Sequence, residues 1–244
     1  MSNQKNNIYQ NYYSTHSEYL HASNSDRKRF IQNIKYKINP HIKWILKDKD
    51  ISNIRILDIW CGQWYFAEYC KNRWVKHFTG FDLDSHIVDY CAKILPEYTF
   101  SDKDIYEHLL KNKNTYDIVF MSHVFEHLSL EEWIQLTKLI YWGLKKWWQW
   151  VNIMPNASSI FFSWYLRYND ITHKTLYTEN SFNQVLLNNF TEENIVHKNY
   201  ITWNKTIKGL IVKVMSYIWR MIIRSMWFGV PKIYSLEIIS IIKI

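Results

Sequence analysis

Residues 56–64 constrain the fold more than any other part of the chain. An apolar run ends near Asp58, and Gly62 follows with tryptophan at positions 60 and 64. Where a buried parallel strand turns sharply into a helix beside a cofactor, the backbone needs residues without a Cβ atom and often adopts positive φ. The segment therefore predicts a strand–turn–helix cofactor loop in which Trp60 and Trp64 occupy positions that suit glycine.

With glycine at positions 60 and 64, the segment resembles the first motif of class I S-adenosylmethionine-dependent methyltransferases, an apolar strand followed by Asp-x-Gly-x-Gly-x-Gly. The resemblance implies an α/β, Rossmann-like fold: a seven-stranded, mostly parallel sheet with an antiparallel last strand and helices on both faces. It also implies that Asp58 holds the amino group of the cofactor S-adenosyl-L-methionine, directly or through water. The backbone of Trp60, Cys61 and Gly62 would line the methionine portion, a space that an indole would fill.

The composition supports glycine in place of several tryptophans. The chain has 13 Trp and 5 Gly, whereas average usage gives roughly 17 Gly at this length. Our hypothesis is that UGA codons meaning glycine in the source organism were translated as tryptophan. The peptide masses of the native protein would test this hypothesis. The replacement also suits Trp74 at a helix end, Trp147 and Trp148 in the turn before the fifth strand, and Trp164 and Trp227. The alternative is that these are genuine surface or core tryptophans.

Size, charge and cysteine usage indicate one cytoplasmic α/β domain with additions. The 244 residues suit a single core, and the chain starts with polar residues rather than an apolar signal segment. Cys61, Cys70 and Cys91 fall in the presumed cofactor half, which favours reduced thiols. The net charge of +8 favours an anionic partner or a membrane surface. No nucleic acid is expected as a partner, because the basic residues are spread along the chain.

Three segments follow from the pattern of apolar residues. Residues 1–50 form an N-terminal arm and a lid helix that begins near Asp26 with Phe30, Ile34 and Ile38 on one face. Residues 51–204 form the methyltransferase core, and residues 205–244 add a basic amphipathic helix and a terminal strand that completes the sheet. The alternation predicts strands at 55–59, 77–82, 97–101, 116–121, 149–154, 193–199 and 236–244 and helices at 64–73, 85–94, 129–145 and from 178.

The end of the second strand carries a candidate ribose-binding acid. Gly80-Phe81-Asp82-Leu83-Asp84 resembles the family's second motif, and Asp82, with Leu83 beside it, would accept hydrogen bonds from both ribose hydroxyls. A nicotinamide-binding fold would carry the same acid, and the form of the first loop is what favours S-adenosylmethionine. Asp84 is expected to cap the following helix.

The third and fourth strand ends complete the cofactor set that the resemblance implies. Asp104 would bind the adenine amine and the backbone of Ile105 a ring nitrogen, with Asp102 as a competitor. Met121 and Ser122 would lie beside the sulfonium. The Val-Phe-Glu-His sequence at 124–127 is characteristic of a family branch that includes small-molecule and glycan methyltransferases.

Three residues are candidates for acid–base work on the acceptor: His123, which would face the mouth of the site, and Asp170 with His173. The segments Pro-Asn-Ala at 155–157 and Asp-x-Thr-His at 170–173 resemble bacterial methyltransferases associated with surface-polysaccharide or glycolipid assembly. A carboxylate three residues from an imidazole can orient it to take a proton from a hydroxyl. The alternative is that Asp170 and His173 only close a loop by hydrogen bonds. For His127, a role in orienting the loop and a role in proton transfer are both open. No metal is required for methyl transfer.

Residues 205–228 suggest peripheral contact with the inner membrane face. Lys205, Lys213, Arg220 and Arg224 fall on one side of a helical wheel, opposite Ile211, Met215, Ile218 and Ile222. Charges interrupt every apolar run, so no membrane-spanning helix is predicted. The alternative is a helix that packs on the domain with a solvated basic face.

Together these features predict an enzyme, a class I methyltransferase that O-methylates a sugar, glycolipid or other small-molecule hydroxyl. A second hypothesis is methylation of an isoprenoid or another metabolite. If the tryptophans are genuine, the third is a Rossmann-like scaffold or binding module that no longer admits the cofactor.

Overall fold

A computed structural model describes residues 28, 31–32, 51–62, 64–159, 168, 170–200, 207–225, 235 and 237–244. They include a seven-stranded sheet in the order β3-β2-β1-β4-β5-β7-β6. Strands β1, β4 and β5 run parallel, as do β2 and β3, whereas β7 is antiparallel to both of its neighbours. The predicted fold, a mostly parallel sheet with an antiparallel last strand, is confirmed.

The strands and helices alternate along the chain as the apolar pattern predicts. The strands are β1 (Arg55–Ile59), β2 (His77–Phe81), β3 (Thr99–Ser101), β4 (Tyr116–Ser122), β5 (Leu144–Pro155), β6 (Ile195–Tyr200) and β7 (Glu237–Lys243). The helices are α1 (Tyr65–Lys71), α2 (Ser85–Ile94), α3 (Ile105–Lys111), α4 (Leu130–Gly143), α5 (Glu179–Leu186) and α6 (Ile207–Ser225). Short 3-10 helices cover Ile51–Asn53, Phe125–His127 and Glu192–Asn194.

The chain forms two compact units, and the first takes its described residues from 1–54 and 60–103. Its core contains Phe66, Phe78 and Tyr98, whose rings contact one another through Phe78. The Tyr98 hydroxyl donates a hydrogen bond to the carbonyl of Val75 at 2.7 Å, so the buried polar atom has a partner. The carboxylate of Asp84 accepts from the backbone N–H of His86 and caps α2, as predicted.

The second unit, residues 55–59 and 104–244, is built around a buried aromatic cluster. The ring of Phe125 lies 3.9 Å from Trp133, 5.5 Å from Trp150 and 5.4 Å from Phe182, centroid to centroid. All four side chains are fully buried. The indole N–H of Trp133 donates to the carbonyl of Phe125, so this tryptophan satisfies its polar atom as well as filling the core.

Two helices of the second unit begin with capping boxes. Ser129 and Glu132 exchange side-chain and backbone hydrogen bonds at the start of α4. Thr178 and Ser181 do the same at the start of α5. A helix was predicted from residue 178; Thr178 is its N-cap, and Ser181 completes the box three residues later.

The structure differs from the sequence expectation around β5. Helix α4 ends at Gly143 and β5 begins at Leu144, where a helix to 145 and a strand from 149 were predicted. Five residue steps of β5, from Leu144 to Gln149, lie opposite two steps of β4, so the start of β5 bulges. Gly143 allows α3 to approach, because a Cβ atom there would lie 2.9 Å from Leu109 Cδ2. Helix α3 itself was not predicted.

The predicted N-terminal lid lies outside the described residues except for Lys28, Ile31 and Gln32, which are helical. Helix α6 is present within the predicted basic segment. Among the described helices, none combines the length and the apolar character of a membrane span.

Three tryptophans hold backbone conformations that favour glycine. Trp60, Trp74 and Trp147 have φ of 53°, 64° and 72°. At the end of α1 the backbone N–H groups of Trp74 and Val75 donate to the carbonyls of Lys71 and Cys70, a Schellman motif in which Trp74 holds the left-handed position. A bulky residue with positive φ is a genuine outlier. Three of the seven tryptophans at which the sequence suits glycine thus hold a left-handed backbone, and the replacement itself stays a hypothesis.

We expect Trp74→Gly and Trp147→Gly each to stabilise the protein by about 0.5–1 kcal/mol. The left-handed conformation costs a bulky residue about 1–2 kcal/mol, which exceeds the entropic cost of glycine. Both indoles are exposed, so little packing is lost. Urea unfolding measures the difference. Lys146→Gly is the matched control, because Lys146 is exposed without positive φ and should lose stability; a loss in all three variants would contradict the backbone argument.

Candidate functional site

The cofactor loop is held by hydrogen bonds that its backbone N–H groups donate within the first unit. The N–H of Cys61 donates to the carbonyl of Phe81 at 2.7 Å, and the N–H of Gly62 donates to Asp82 Oδ2 at 2.7 Å. The thiol of Cys91 contacts the carbonyl of Gly62 at 3.7 Å. Gly62 has φ of 48°, the left-handed conformation expected of a tight glycine turn. The loop from 60 to 62 is therefore fixed against the end of β2.

The carboxylate of Asp82 is the centre of this arrangement. It is buried, and its Oδ1 accepts a hydrogen bond from the N–H of Asp84 at 3.1 Å. Burial raises the pKa of Asp82, while the backbone N–H groups of Asp84 and Gly62 act in the opposite direction. Each oxygen keeps a second lone pair after these bonds. Leu83, the next residue, exposes an apolar side chain.

The other predicted cofactor residues lie in the second unit. Asp58 is 2% exposed near the end of β1 and pairs with Phe120 of β4. Met121 is buried and Ser122 half-buried at the end of β4. Asp104 caps α3 by accepting from the N–H of Tyr106 at 2.7 Å, a role that was not predicted, and Ile105 is buried behind it. Their contacts with adenine and sulfonium stay predictions.

His123 follows β4 and lies between two carboxylates. Its Nε2 is 2.8 Å from Glu237 Oε1, and its Nδ1 is 3.3 Å from Glu126 Oε1. Burial lowers the pKa of His123, but Glu126 and Glu237 outweigh it and raise the pKa to about 10. Its φ of 57° is a strained conformation of the kind found at functional positions. With a pKa of about 10 the ring is protonated at neutral pH. His123 would have to lose that proton before it could act as the predicted base.

A chain of hydrogen bonds joins Asp170 to His127 through Thr172. The Thr172 hydroxyl donates to Asp170 Oδ1 at 2.6 Å and lies 2.8 Å from His127 Nδ1. The single hydroxyl proton of Thr172 is used in the bond to Asp170, so the hydrogen bond with His127 needs a proton on Nδ1. Nδ1 therefore donates to the Thr172 oxygen. In a neutral ring this leaves Nε2 as the acceptor nitrogen. Burial lowers the pKa of His127, and the nearby carboxylates do not reverse this. The ring is therefore oriented and neutral at neutral pH.

His173 completes this cluster. Its Nε2 lies 3.7 Å from Asp170 Oδ2, and its ring meets the ring of His127 edge to face with centroids 4.7 Å apart. Burial raises the pKa of Asp170, but the Thr172 hydroxyl and backbone N–H outweigh it, so the pKa is lowered and the group is ionised. The predicted pair Asp170 and His173 is close enough for an ion pair, and its catalytic role stays a prediction.

Backbone hydrogen bonds join the two segments that carry the cluster. The N–H groups of Lys174 and Thr175 donate to the carbonyl of Glu126 at 2.6 and 3.3 Å. The ammonium of Lys174 also lies 2.9 Å from Glu132 on α4. The loop after β5 is thereby fixed to the turn after β4, and the side chains of Glu126, His127 and His173 can act on one ligand.

The sequence did not mark Glu126, Thr172 or Glu237 as site residues. Glu126 belongs to the Val-Phe-Glu-His motif, and Thr172 lies between the two marked residues, so local signals for both existed. Glu237 is 114 residues from His123 along the chain and meets it only because β7 pairs with β5. No local signal could have found it.

A cavity of about 490 Å³ in the second unit lies near the first residues of β4 and β5. The candidate site follows the last residue of β4, at the other end of that strand. Lys113, Asn114 and Trp142 line it, together with Lys243 and Ile244 at the end of β7. None of the predicted site residues lies among its lining residues.

A family model described as a methyltransferase domain matches residues 56–146. These residues include the cofactor loop and β4 with the strained His123 at its end. The chain contains a class I methyltransferase domain. The methyltransferase domain is of the S-adenosylmethionine-dependent type, and the predicted enzyme class and cofactor are thus confirmed. Among curated proteins, none matches the sequence.

Solved structures with this fold include a SAM-dependent methyltransferase from Archaeoglobus fulgidus. It is 20% identical, with 96% of this chain and 100% of that chain covered and a TM-score of 0.64. A second from Mesorhizobium loti is 12% identical, with 84% and 96% covered and a TM-score of 0.56. Phosphoethanolamine N-methyltransferase 2 from Haemonchus contortus, in complex with S-adenosyl-L-methionine, is 12% identical, with 84% and 52% covered and a TM-score of 0.55. At these identities the likeness supports the fold.

Proposed function

We propose that the methyltransferase domain transfers a methyl group from S-adenosylmethionine to a hydroxyl oxygen of a sugar, a glycolipid or another small molecule. The observation that carries this proposal is the cluster of Asp170, Thr172, His127 and His173. It joins an ionised carboxylate to oriented imidazoles at the carboxyl end of β4, where α/β sheets bind their ligands. A hydroxyl must lose its proton on methylation, and such a group can accept it.

For the cofactor, we propose the set that the sequence motifs imply. Asp58 takes the amino group, and the backbone at 60–62 takes the methionine portion. Asp82 binds the ribose hydroxyls, with Leu83 beside it. Asp104 and Ile105 bind adenine. Met121 and Ser122 lie beside the sulfonium. The fixed backbone of Gly62 and the buried, anchored carboxylate of Asp82 support this assignment. The cofactor supplies an electrophilic methyl group, so the protein has to align the acceptor and exclude water.

Glycine at positions 60, 74 and 147 is part of the same proposal. Trp60 matters most, because a glycine there would open the methionine site while leaving the left-handed backbone unchanged. Trp64 has φ of −43° and lies buried against Tyr65, so the backbone gives no separate support for glycine at that position.

Calorimetric titration of S-adenosylmethionine into two versions of the protein tests the cofactor assignment. One version is the chain as written, and the other has glycine at 60, 64, 74, 147 and 148. We expect the glycine version to bind at least about fivefold more tightly, since overpacking costs about 1–3 kcal/mol before any contact is lost. In that version Asp82→Asn should weaken binding and Asp89→Asn, an exposed acid of α2, should not.

Equal binding to both versions would show that the tryptophans are tolerated and that the steric argument is wrong. Binding to neither version would overturn the assignment of these residues to the cofactor.

The class of acceptor can be tested with radiolabelled methyl transfer from S-adenosylmethionine. Extracts of the native host are separated into lipid-linked glycans and soluble metabolites, and each is supplied to the protein that binds the cofactor. We expect label in the glycan fraction as an alkali-stable O-methyl ether, because the Asp-x-Thr-His segment resembles glycan-modifying relatives. Label confined to an isoprenoid or soluble metabolite would replace this substrate class by the second hypothesis.

We also propose that α6 lies on an anionic membrane surface. Its apolar side chains are unusually exposed: Ile211, Met215 and Ile218 are 56%, 48% and 48% accessible. The sequence places Arg220 and Arg224 on the opposite side of the helix. An amphipathic helix with a basic face and an uncovered apolar face suits the lipid interface. The exposure supports this reading over a helix that packs on the domain.

Flotation with vesicles that contain anionic lipid tests the membrane proposal. We expect the double variant Arg220→Glu/Arg224→Glu to lower the membrane-bound fraction at least about tenfold, since each basic residue near such a surface contributes about 1 kcal/mol. Lys76→Glu/Lys103→Glu makes the same change in net charge at exposed positions outside α6. Equal losses in both double variants, or none in either, would refute a specific role of α6.

A further inference from the structure

The carboxylate of Glu126 is buried in the second unit with incomplete compensation. Its side chain is 1% exposed, and neither Oε1 nor Oε2 accepts a hydrogen bond from the described residues. Nδ1 of His123 lies 3.3 Å from Oε1, and the same ring makes a shorter contact of 2.8 Å with Glu237 through Nε2. A buried carboxylate normally has hydrogen bonds on both oxygens, a full ion pair or a metal ion. His123 supplies a shared ion pair through Oε1, and no hydrogen-bond donor among the described residues reaches Oε2.

Two imidazoles lie beside this carboxylate. One side-chain ligand atom from each of Glu126, His127 and His173 lies within 4.8 Å of the others. Ligand atoms that share a tetrahedral Zn²⁺ are about 3.4 Å apart, given metal bonds of about 2.1 Å. Rotations of side chains that contract the group by an ångström or so would therefore suffice to bind an ion.

The surroundings of His127 match those of a metal-bound histidine. Such a ligand donates its other ring N–H to a partner that fixes its tautomer and orientation. Here Nδ1 of His127 faces the Thr172 hydroxyl, which in turn donates to Asp170. Nε2 is then the nitrogen with a lone pair. Asp170 supplies additional negative charge next to the cluster.

We propose that Glu126, His127 and His173 bind a divalent first-row transition ion such as Zn²⁺. Two imidazoles and one carboxylate suit Zn²⁺, Mn²⁺ or Fe²⁺ better than Mg²⁺, which prefers oxygen ligands. Three protein ligands leave a coordination position open, as in catalytic metal sites. The backbone hydrogen bonds from Lys174 and Thr175 to Glu126 hold the two ligand segments together before the ion arrives.

The consequence for catalysis rests on the proposed methyl transfer to a hydroxyl, with one change. The ion would occupy the lone pairs of His127 and His173, so the ion rather than these rings would promote loss of the hydroxyl proton. An acceptor hydroxyl in the open position would lose its proton to solvent more easily, because a bound divalent ion lowers the pKa of its oxygen ligands. That oxygen forms the new bond to the methyl carbon, while the carbon–sulfur bond breaks and its electron pair stays on sulfur. The ion favours acceptors with a hydroxyl that is free to reach it.

Metal binding can be measured without cofactor or acceptor. Tag-free full-length protein is treated with chelator and titrated with Zn²⁺ by calorimetry and with Co²⁺ by visible absorption, which reports four-coordinate geometry. We expect one ion per chain. Glu126→Gln and His173→Asn should each weaken its binding at least about tenfold, and Thr172→Val about 10–100-fold, as loss of an orienting partner does.

His197→Asn is the matched control. His197 is an inward histidine of β6 whose ring nitrogens face Ser240 and Asn183, outside the cluster, so the variant should keep the ion. Circular dichroism shows whether each variant is folded. If Glu126→Gln does not fold, His173→Asn alone serves as the ligand variant. Absence of binding, or binding that the three cluster variants leave unchanged, would overturn the proposal. Preference for Mg²⁺ over Zn²⁺ would also overturn it.

The result is separable from the proposed function. Metal binding in a protein that does not bind S-adenosylmethionine would leave the metal site standing and remove the methyltransferase chemistry. Cofactor binding by a protein that takes no ion would do the reverse.

Discussion

Burial of β4 is the constraint on which the candidate site depends. Its residues from Tyr116 to Met121 are buried, and the strand pairs with β1 on one side and β5 on the other. A strand fixed on both edges cannot shift its register without moving apolar side chains out of the core. The chain therefore leaves the sheet at a defined point, Ser122, and the next residues lie at the carboxyl end where an α/β sheet binds ligands. Asp117, at the other end, is compensated by Lys145 and the N–H of Arg55.

Charge balance gives the site its second level of organisation. His123 bridges Glu126 and Glu237, and Asp170 is joined through Thr172 to His127. These contacts alternate negative groups with positive or dipolar ones, so each of these ionisable side chains has a partner although most of them are shielded from water. The arrangement is costly unless something uses it, since an apolar core of the same volume would be at least as stable. This cost is a reason to assign chemistry to the cluster.

The sequence predicted the parts of the fold that local patterns determine. The bounds of β1 and α2, the cap at Thr178 and the helix end at Trp74 all follow from apolar periodicity and capping preferences. Helix α3 was missed, because only Ile105 and Leu109 of its seven residues are buried and its apolar pattern is short. The bulged start of β5 was missed because its pairing depends on residue 244.

Site residues divided in the same way. Motifs in the sequence mark Asp82, Asp170 and His173 as candidates, whereas the contact of His123 with Glu237 depends on strand order. The tryptophans show both cases: Trp133 fills the core and satisfies its N–H, while Trp74 strains a turn that a glycine would relax. Side-chain burial and backbone conformation together distinguish these two kinds of position.

The position of β7 also affects how the chain can fold as it is made. Both β5 and β6 pair with β7, although β7 follows them in the sequence. At synthesis rates of about 5–20 residues per second, the chain between Tyr200 and Glu237 takes roughly 2–7 seconds to emerge. During that interval the β5 edge and β6 lack the strand that separates them, and unpaired edges promote association between chains.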